Sequence, residues 1–238
     1  MPQQSVMPAR QVPRAAWFGK LPGLGDFVGR RMPHAFCAEW DHWLRSGLEQ
    51  LRNQSPEQWE QRFVQSPLWF FVAPALVTGN PICGLMAPSM DRVGRCYPIT
   101  ILAMANDVDG LFAPDADLSL FFAAARAAVI DARRLPLSAE GMDSRLLDLV
   151  WPFRDKTEPR PNSVISDLLA DLNAVSDFSA QSATVTLPSL PWRDLVTKGS
   201  EISVWWVSPT AEGPYQEVVH QGAFHRSLFS RLFQGARR

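Results

Sequence analysis

Apolar positions along this chain recur in two rhythms, and the changes of rhythm predict its elements. Between Pro33 and Arg52 the residues Phe36, Trp40, Trp43, Leu44 and Leu51 return at helical spacing on one face. This predicts an amphipathic helix with Pro33 in its first turn. The stretch "SPEQWEQRF" predicts a short second helix, capped by Ser55 with Pro56 at its first position. Before them, "AAWFGK" is a brief aromatic run ended by a Pro/Gly loop, the mark of a strand. After them, "LWFFVA", "ICGLMAP" and "YPITILAMA" are strand-like runs separated by turn-forming residues, which predicts an antiparallel meander. The alanine-rich "DLSLFFAAARAAVIDARR" reads as a helix capped by Asp117 or Ser119. Two further helices are expected in "AEGMDSRLLDLV" and "SVISDLLADLNAV", with a proline-rich break around Pro159 between them. The strands "EISVWWVS" and "QEVVHQG" and the amphipathic helix "AFHRSLFSRLF" close the chain.

Strands therefore stand at both ends of a helical centre, and one sheet shared by the two ends is the simplest arrangement. The expected fold is α+β, a mostly antiparallel sheet flanked by helices, with a helical insertion over about 106–190. One domain is expected over 15–238, preceded by a flexible segment over 1–14. Composition narrows the functional classes. A hydrophobic share of 46% in 238 residues belongs to a folded globular chain, and a net charge of -1 offers no global field for nucleic acid or an anionic membrane. The three cysteines, Cys37, Cys83 and Cys96, form no paired pattern and fit a reducing compartment. The first residues hold no apolar leader, and no run reaches the ~20 apolar residues of a membrane span. A cytoplasmic protein without a membrane span or a nucleic-acid partner is the expectation.

Two polar loops interrupt the apolar pattern. The first, "WFGKLPGLGDFVGRR", sets Lys20, Asp26, Phe27, Arg30 and Arg31 among four glycines. Three residues separate Gly25 from Gly29, so the dinucleotide fingerprint is missed, and the GK[ST] ending of a phosphate-binding loop is absent. The second, "PSMDRVGRCYP", crowds Ser89, Asp91, Arg92 and Arg95 between two apolar strands. Asp91 and Arg95 can cap and bridge their own turn, or the arginines can offer planar donors to a carboxylate or phosphate; both readings stand. His34, His42, His220 and His225 show no ligand spacing, since His42 falls on the polar face of its helix, away from Cys37. There is no GxSxG elbow, and Ser89 has no histidine near it in sequence. No catalytic set, cofactor site or metal site is expected.

The same two loops carry a family resemblance. "WFGKLPGLGDFVGRRMPHAFCAEWDHWL" resembles a signature G-K-x-P-x-x-G-D-F followed by W-D-x-W-L. "SPLWFFVAPALVTGNPICGLMAPSMDRVGRCYPITI" resembles a second one, S-P-x-W-x-F followed by P-S-x-D-x-V-G-R-x-x-P. Both are features of the TagF family, also called ImpM, accessory proteins of bacterial type VI secretion. The resemblance covers roughly the first hundred residues. It implies a longin- or profilin-like fold and a cytoplasmic, non-enzymatic negative regulator of type VI secretion. Such a regulator acts after translation, by engaging the forkhead-associated (FHA) scaffold protein and limiting apparatus assembly. On this reading Lys20, Asp26, Phe27, Arg30, Arg31, Ser89, Asp91, Arg92 and Arg95 form a partner-binding edge, with Asp26 and Asp91 orienting Arg30, Arg92 and Arg95. The alternatives are a structural subunit of the apparatus, or an enzyme with a site in the cleft near these loops.

Overall fold

A computed structural model describes residues 14–74, 79–107, 110–147, 149–154, 185–209 and 214–234. Nine strands and six helices are described: β1 (Ala16–Gly19), β2 (Val28–Arg30), α1 (His34–Gln54), α2 (Trp59–Val64), β3 (Trp69–Ala73), β4 (Ile82–Ala87), β5 (Ile99–Met104), β6 (Leu111–Phe112), α3 (Asp115–Arg134), α4 (Ala139–Arg145), β7 (Phe153–Arg154), α5 (Trp192–Leu195), β8 (Ile202–Val207), β9 (Gln216–Gln221) and α6 (Arg226–Phe233). Seven strands form one sheet in the order β2-β1-β5-β4-β3-β8-β9, every neighbouring pair antiparallel. The expected meander is present as β3-β4-β5, and the two ends of the chain do share the sheet. The fold is α+β, as its residue pattern predicts.

The central strands are apolar on both sides because both sheet faces are covered. Along β3, Phe70 and Val72 join Leu85, Ile101 and Trp206 in the core beneath α3. Trp69, Phe71 and Ala73 point the other way, toward α1, α2 and α6. Burying aromatic side chains on both faces forces their ring N–H groups to find acceptors. Trp40 donates to Thr100 Oγ1 at 3.1 Å, Trp43 to the His225 carbonyl at 3.0 Å and Trp69 to the Leu232 carbonyl at 2.7 Å. These bonds tie α1 to β5 and to the start of α6, and the end of α6 to β3. The α1–α6 crossing is close because Gly47 lies under Phe229; a Cβ there would stand 2.2 Å from the Phe229 ring.

Three local expectations are corrected. Pro33 is the N-cap of α1, and the helix begins at His34. Ser55 does not cap α2: α1 extends to Gln54, so the Ser55 amide closes it on the Leu51 carbonyl, and α2 begins only at Trp59. The cap of α3 is Pro114, which leaves Asp117 in the first turn beside Asp115, where carboxylates complement the helix N-terminus. Ser119 lies inside that helix, and its hydroxyl donates to the Val185 carbonyl at 2.8 Å. Within the expected helical stretch 106–190, the described residues form α3, α4 and an unexpected two-stranded ribbon, β6-β7. The helix expected at 163–175 and the break near Pro159 lie outside the described residues, as does all of the 1–14 segment except Arg14.

Candidate functional site

Because β1 pairs antiparallel with β5, and β4 precedes β5 on its other side, the loops at 20–27 and 88–98 leave the same end of the sheet. The chain leaves β1 at Gly19, whose φ is 144° and where a Cβ would stand 2.2 Å from the Pro98 carbonyl oxygen, which leaves no room for a side chain. Lys20 follows it into the interior, only 5% exposed, and its Nζ donates to Asp91 Oδ2 at 2.9 Å. Asp91 is 2% exposed and takes three further hydrogen bonds: from Arg95 Nε at 2.6 Å, the Arg95 amide at 2.9 Å and the Val93 amide at 3.1 Å. Burial alone would push this carboxyl up. The donors from Lys20, Arg95 and Val93 outweigh burial and hold it well below the usual carboxylate range. Ser89, also buried, donates from Oγ to the Lys20 carbonyl at 2.8 Å.

Two more bonds fasten one loop on the other. The Arg92 amide donates to the Leu24 carbonyl at 2.8 Å, and Arg95 Nη2 to the Gly25 carbonyl at 2.6 Å. Lys20, Ser89, Asp91 and Arg95 are therefore the lock that makes two glycine-containing loops into one rigid tip. Asp91 orients Arg95 but not Arg30 or Arg92, which corrects that part of the expected edge. Asp26 orients none of them; its Oδ1 accepts the Phe27 amide at 2.8 Å and shapes its own turn.

Arg30 and Arg31 face elsewhere. Arg31 Nη2 and the Trp17 indole N–H both donate to Asp143 Oδ1 of α4, at 2.8 and 2.7 Å, while Arg31 Nε holds the Ala15 carbonyl at 2.8 Å. Arg30 approaches Asp143 at 3.7 Å and Glu140 at 3.5 Å. These two arginines bind the sheet edge to α4 instead of joining the tip.

Besides Arg95, whose exposed guanidinium is engaged with Asp91 and the Gly25 carbonyl, the tip presents outward a short set: Asp26, Phe27, Arg92 and Val93. Val93 is 68% exposed, and the Arg92 guanidinium, also exposed, has no ion-pair partner among the described residues. Phe27, 36% exposed, is held edge-on by Tyr97 at 4.7 Å and has two cations over its ring, Lys20 Nζ at 4.8 Å and the Arg45 guanidinium at 5.3 Å. A partly exposed aromatic ring fixed in place, on the same tip as an exposed arginine, is the composition of a binding hot spot.

The sequence matches the TagF N-terminal domain, described as type VI secretion system-associated, over residues 16–149. That is more than half of the chain, and it takes in all nine candidate residues. The chain belongs to the TagF family. It is thus a type VI secretion-associated protein. A search of curated proteins returned no match. Among solved structures, that of PA0076 from Pseudomonas aeruginosa PAO1 is similar, with a TM-score of 0.66 over 94% of this chain and 96% of that one at 23% identity. At that identity the likeness speaks for the fold.

The TagF signatures now have a physical account. In W-D-x-W-L, the two tryptophans are core, and Asp41 accepts the Tyr97 hydroxyl at 2.7 Å and pairs with Arg45 at 2.7 Å. Burial, with the Asp41 bond second, pushes the Tyr97 hydroxyl above its ordinary range. Asp41, Arg45, Tyr97 and Asp143 support the tip or the neighbouring edge, and none was singled out in the sequence. Tyr97 and Asp143 have their partners 56 to 126 positions away, which no local spacing signals. Asp41 and Arg45 stand four apart on α1, and that helical spacing, with the aspartate of the first signature, was the one signal that could have found them. Among the described residues no group of His, Cys, Asp and Glu is arranged to hold a metal ion, and no helix is long and apolar enough to cross a membrane. A groove of about 620 Å³ lies between α1 and the 223–226 turn, lined by Trp40, His42, Trp43, Phe224, His225 and Arg226 among others, and none of the nine candidate residues lines it.

Proposed function

We propose that this TagF-family protein is a cytoplasmic, non-enzymatic negative regulator of type VI secretion that acts after translation, by binding the FHA scaffold protein and limiting apparatus assembly. The observation that carries this reading is the division of labour at the tip. The charged groups able to do chemistry, Lys20 and Asp91, are spent on each other inside the fold, while Phe27, Arg92 and Val93 are held outward on a rigid base. An enzyme needs an accessible group with a perturbed pKa in a pocket, and Asp91 is perturbed only because four donors already surround it. Recognition instead favours a preorganised loop on a stiff scaffold, because little is lost in ordering it on binding.

The test is genetic and direct. Deleting the gene raises effector export under conditions where the system is normally quiet, and overexpression suppresses it. Unchanged export in both strains contradicts the regulatory reading. Stable co-purification with the assembled apparatus, at fixed stoichiometry, assigns the protein to the structural subunits instead.

A further inference from the structure

The two edges of the seven-stranded sheet differ in how they are protected. At one end stands β2, three residues long, with Arg30 and the following Arg31 clamped to Asp143 of α4. Short, charged and braced edges are the usual means of preventing a further strand from adding. At the other end stands β9, Gln216–Gln221. It pairs with β8 without a slip over six residues, Ile202↔Gln221 through Val207↔Gln216, and contains no proline, lysine or bulge. Among the described residues no strand pairs with its outer side. Every second residue of an antiparallel edge strand turns its N–H and C=O away from its neighbour. Val219, at the middle of β9, is 43% exposed.

We propose that this edge is a homodimer interface, in which β9 pairs antiparallel with β9 of a second copy about a twofold axis perpendicular to the sheet. Such an axis keeps each sheet face on its own side, so only residues that share a face can stand opposite one another. Two central registers satisfy this. Centring on Val218 sets the Glu217 carboxylate against Val219 of the second copy. Centring on Val219 sets Val219 against Val219 and Glu217 against Gln221 on both sides of the axis. The second register covers the exposed valine and gives each Glu217 an amide donor, while on the opposite face Val218 meets His220. Glu217 Oε2 already accepts from Tyr215 and Ser189, and its second oxygen remains to accept from Gln221. The strand is thus complementary to itself, and a net charge of -1 puts no general repulsion between copies. Six paired residues make a small interface, so the dimer is a weak, concentration-dependent one.

The experiment is sedimentation equilibrium on the full chain from low micromolar to about 0.5 mM, with amide hydrogen exchange at both ends of the range. The wild type should rise from 26.6 kDa toward twice that mass, with slowed exchange confined to β9 at high concentration. Val219→Lys sets two ammonium groups across the axis; it should remain at the monomer mass with an unchanged melting temperature. Gln221→Lys sets a lysine against Glu217 of the second copy, and should dimerise at several-fold lower concentration than the wild type. A wild type that stays monomeric throughout overturns the proposal. So does a dimer indifferent to both substitutions, and so does a monomer whose β9 becomes protected only when a different protein is added, which assigns the edge to a foreign strand.

Discussion

Replacing Asp91 by Asn tests the lock beneath the tip. The side chain keeps its shape, and its Oδ1 can still accept the Val93 and Arg95 amides. What disappears is the charge facing Lys20 Nζ, a cation whose side chain is only 6% exposed, together with the acceptor shared by Lys20 Nζ and Arg95 Nε, since the amide nitrogen that replaces Oδ2 is itself a donor. Stranding one member of a buried ion pair costs about 3–5 kcal/mol. The low end applies here, because Lys20 lies at the end of the sheet under a single loop; Arg95, 59% exposed, finds water and adds little. About 3 kcal/mol in a chain of this size lowers the melting temperature by roughly 6–12 °C, which calorimetry at pH 7 reads directly. The Lys20→Met, Asp91→Asn double variant should lose less than the sum of the two single variants, since neither charge is then left alone. The pH dependence has a fixed sign. The Asp91 carboxyl is held below its ordinary value of 3.8 in the folded state, so its contribution is complete above that value and fades as pH falls through the depressed one. The gap between wild type and Asp91→Asn should be constant from about pH 5 to 8 and close below about pH 4. A loss under about 2 °C, or strict additivity in the double variant, refutes the buried-pair account.

Other outcomes follow from packing. Trp40→Ala removes a ring 1% exposed and its bond to Thr100, and should cost about 3–5 kcal/mol in a thermal melt; an unchanged melting temperature would mean the ring is not core. Gly47→Ala gains up to about 1 kcal/mol of helix propensity but drives a methyl into the Phe229 ring, so a net loss of about 1–2 kcal/mol is expected; a more stable variant contradicts the close α1–α6 crossing. Arg95→Ala should lower the melting temperature by a few degrees, whereas Arg92→Ala, with no ion pair to lose, should leave it within about 1 °C.

The fold was legible because the strongest signals are local. The apolar face from Phe36 to Leu51 and the runs around Phe71, Leu85 and Ile101 each announce an element, and the turn residues between them announce antiparallel neighbours. β2 escaped because Val28–Arg30 is three residues inside a glycine-rich loop, and the β6-β7 ribbon because two-residue strands have no periodicity. The candidate site was legible as a set of letters but not as an arrangement. Sequence order placed Arg30, Arg31, Arg92 and Arg95 in one charged edge. Tertiary contacts separate them: Asp143 takes Arg31 and approaches Arg30, Asp91 takes Arg95, and of the four only Arg92 has no ion-pair partner among the described residues. Asp91 and Arg95 do bridge their own turn, as one of the two sequence readings held.

The central claim is that the outward set at the tip binds the FHA scaffold protein while the buried set only holds it in place. Titration calorimetry of the purified scaffold protein with the wild type and with Arg92→Glu measures this most directly. The account predicts that the charge reversal, at an exposed position with an unchanged melt, weakens binding at least tenfold, about 1.4 kcal/mol. Equal affinity for the two proteins, both folded, would contradict it.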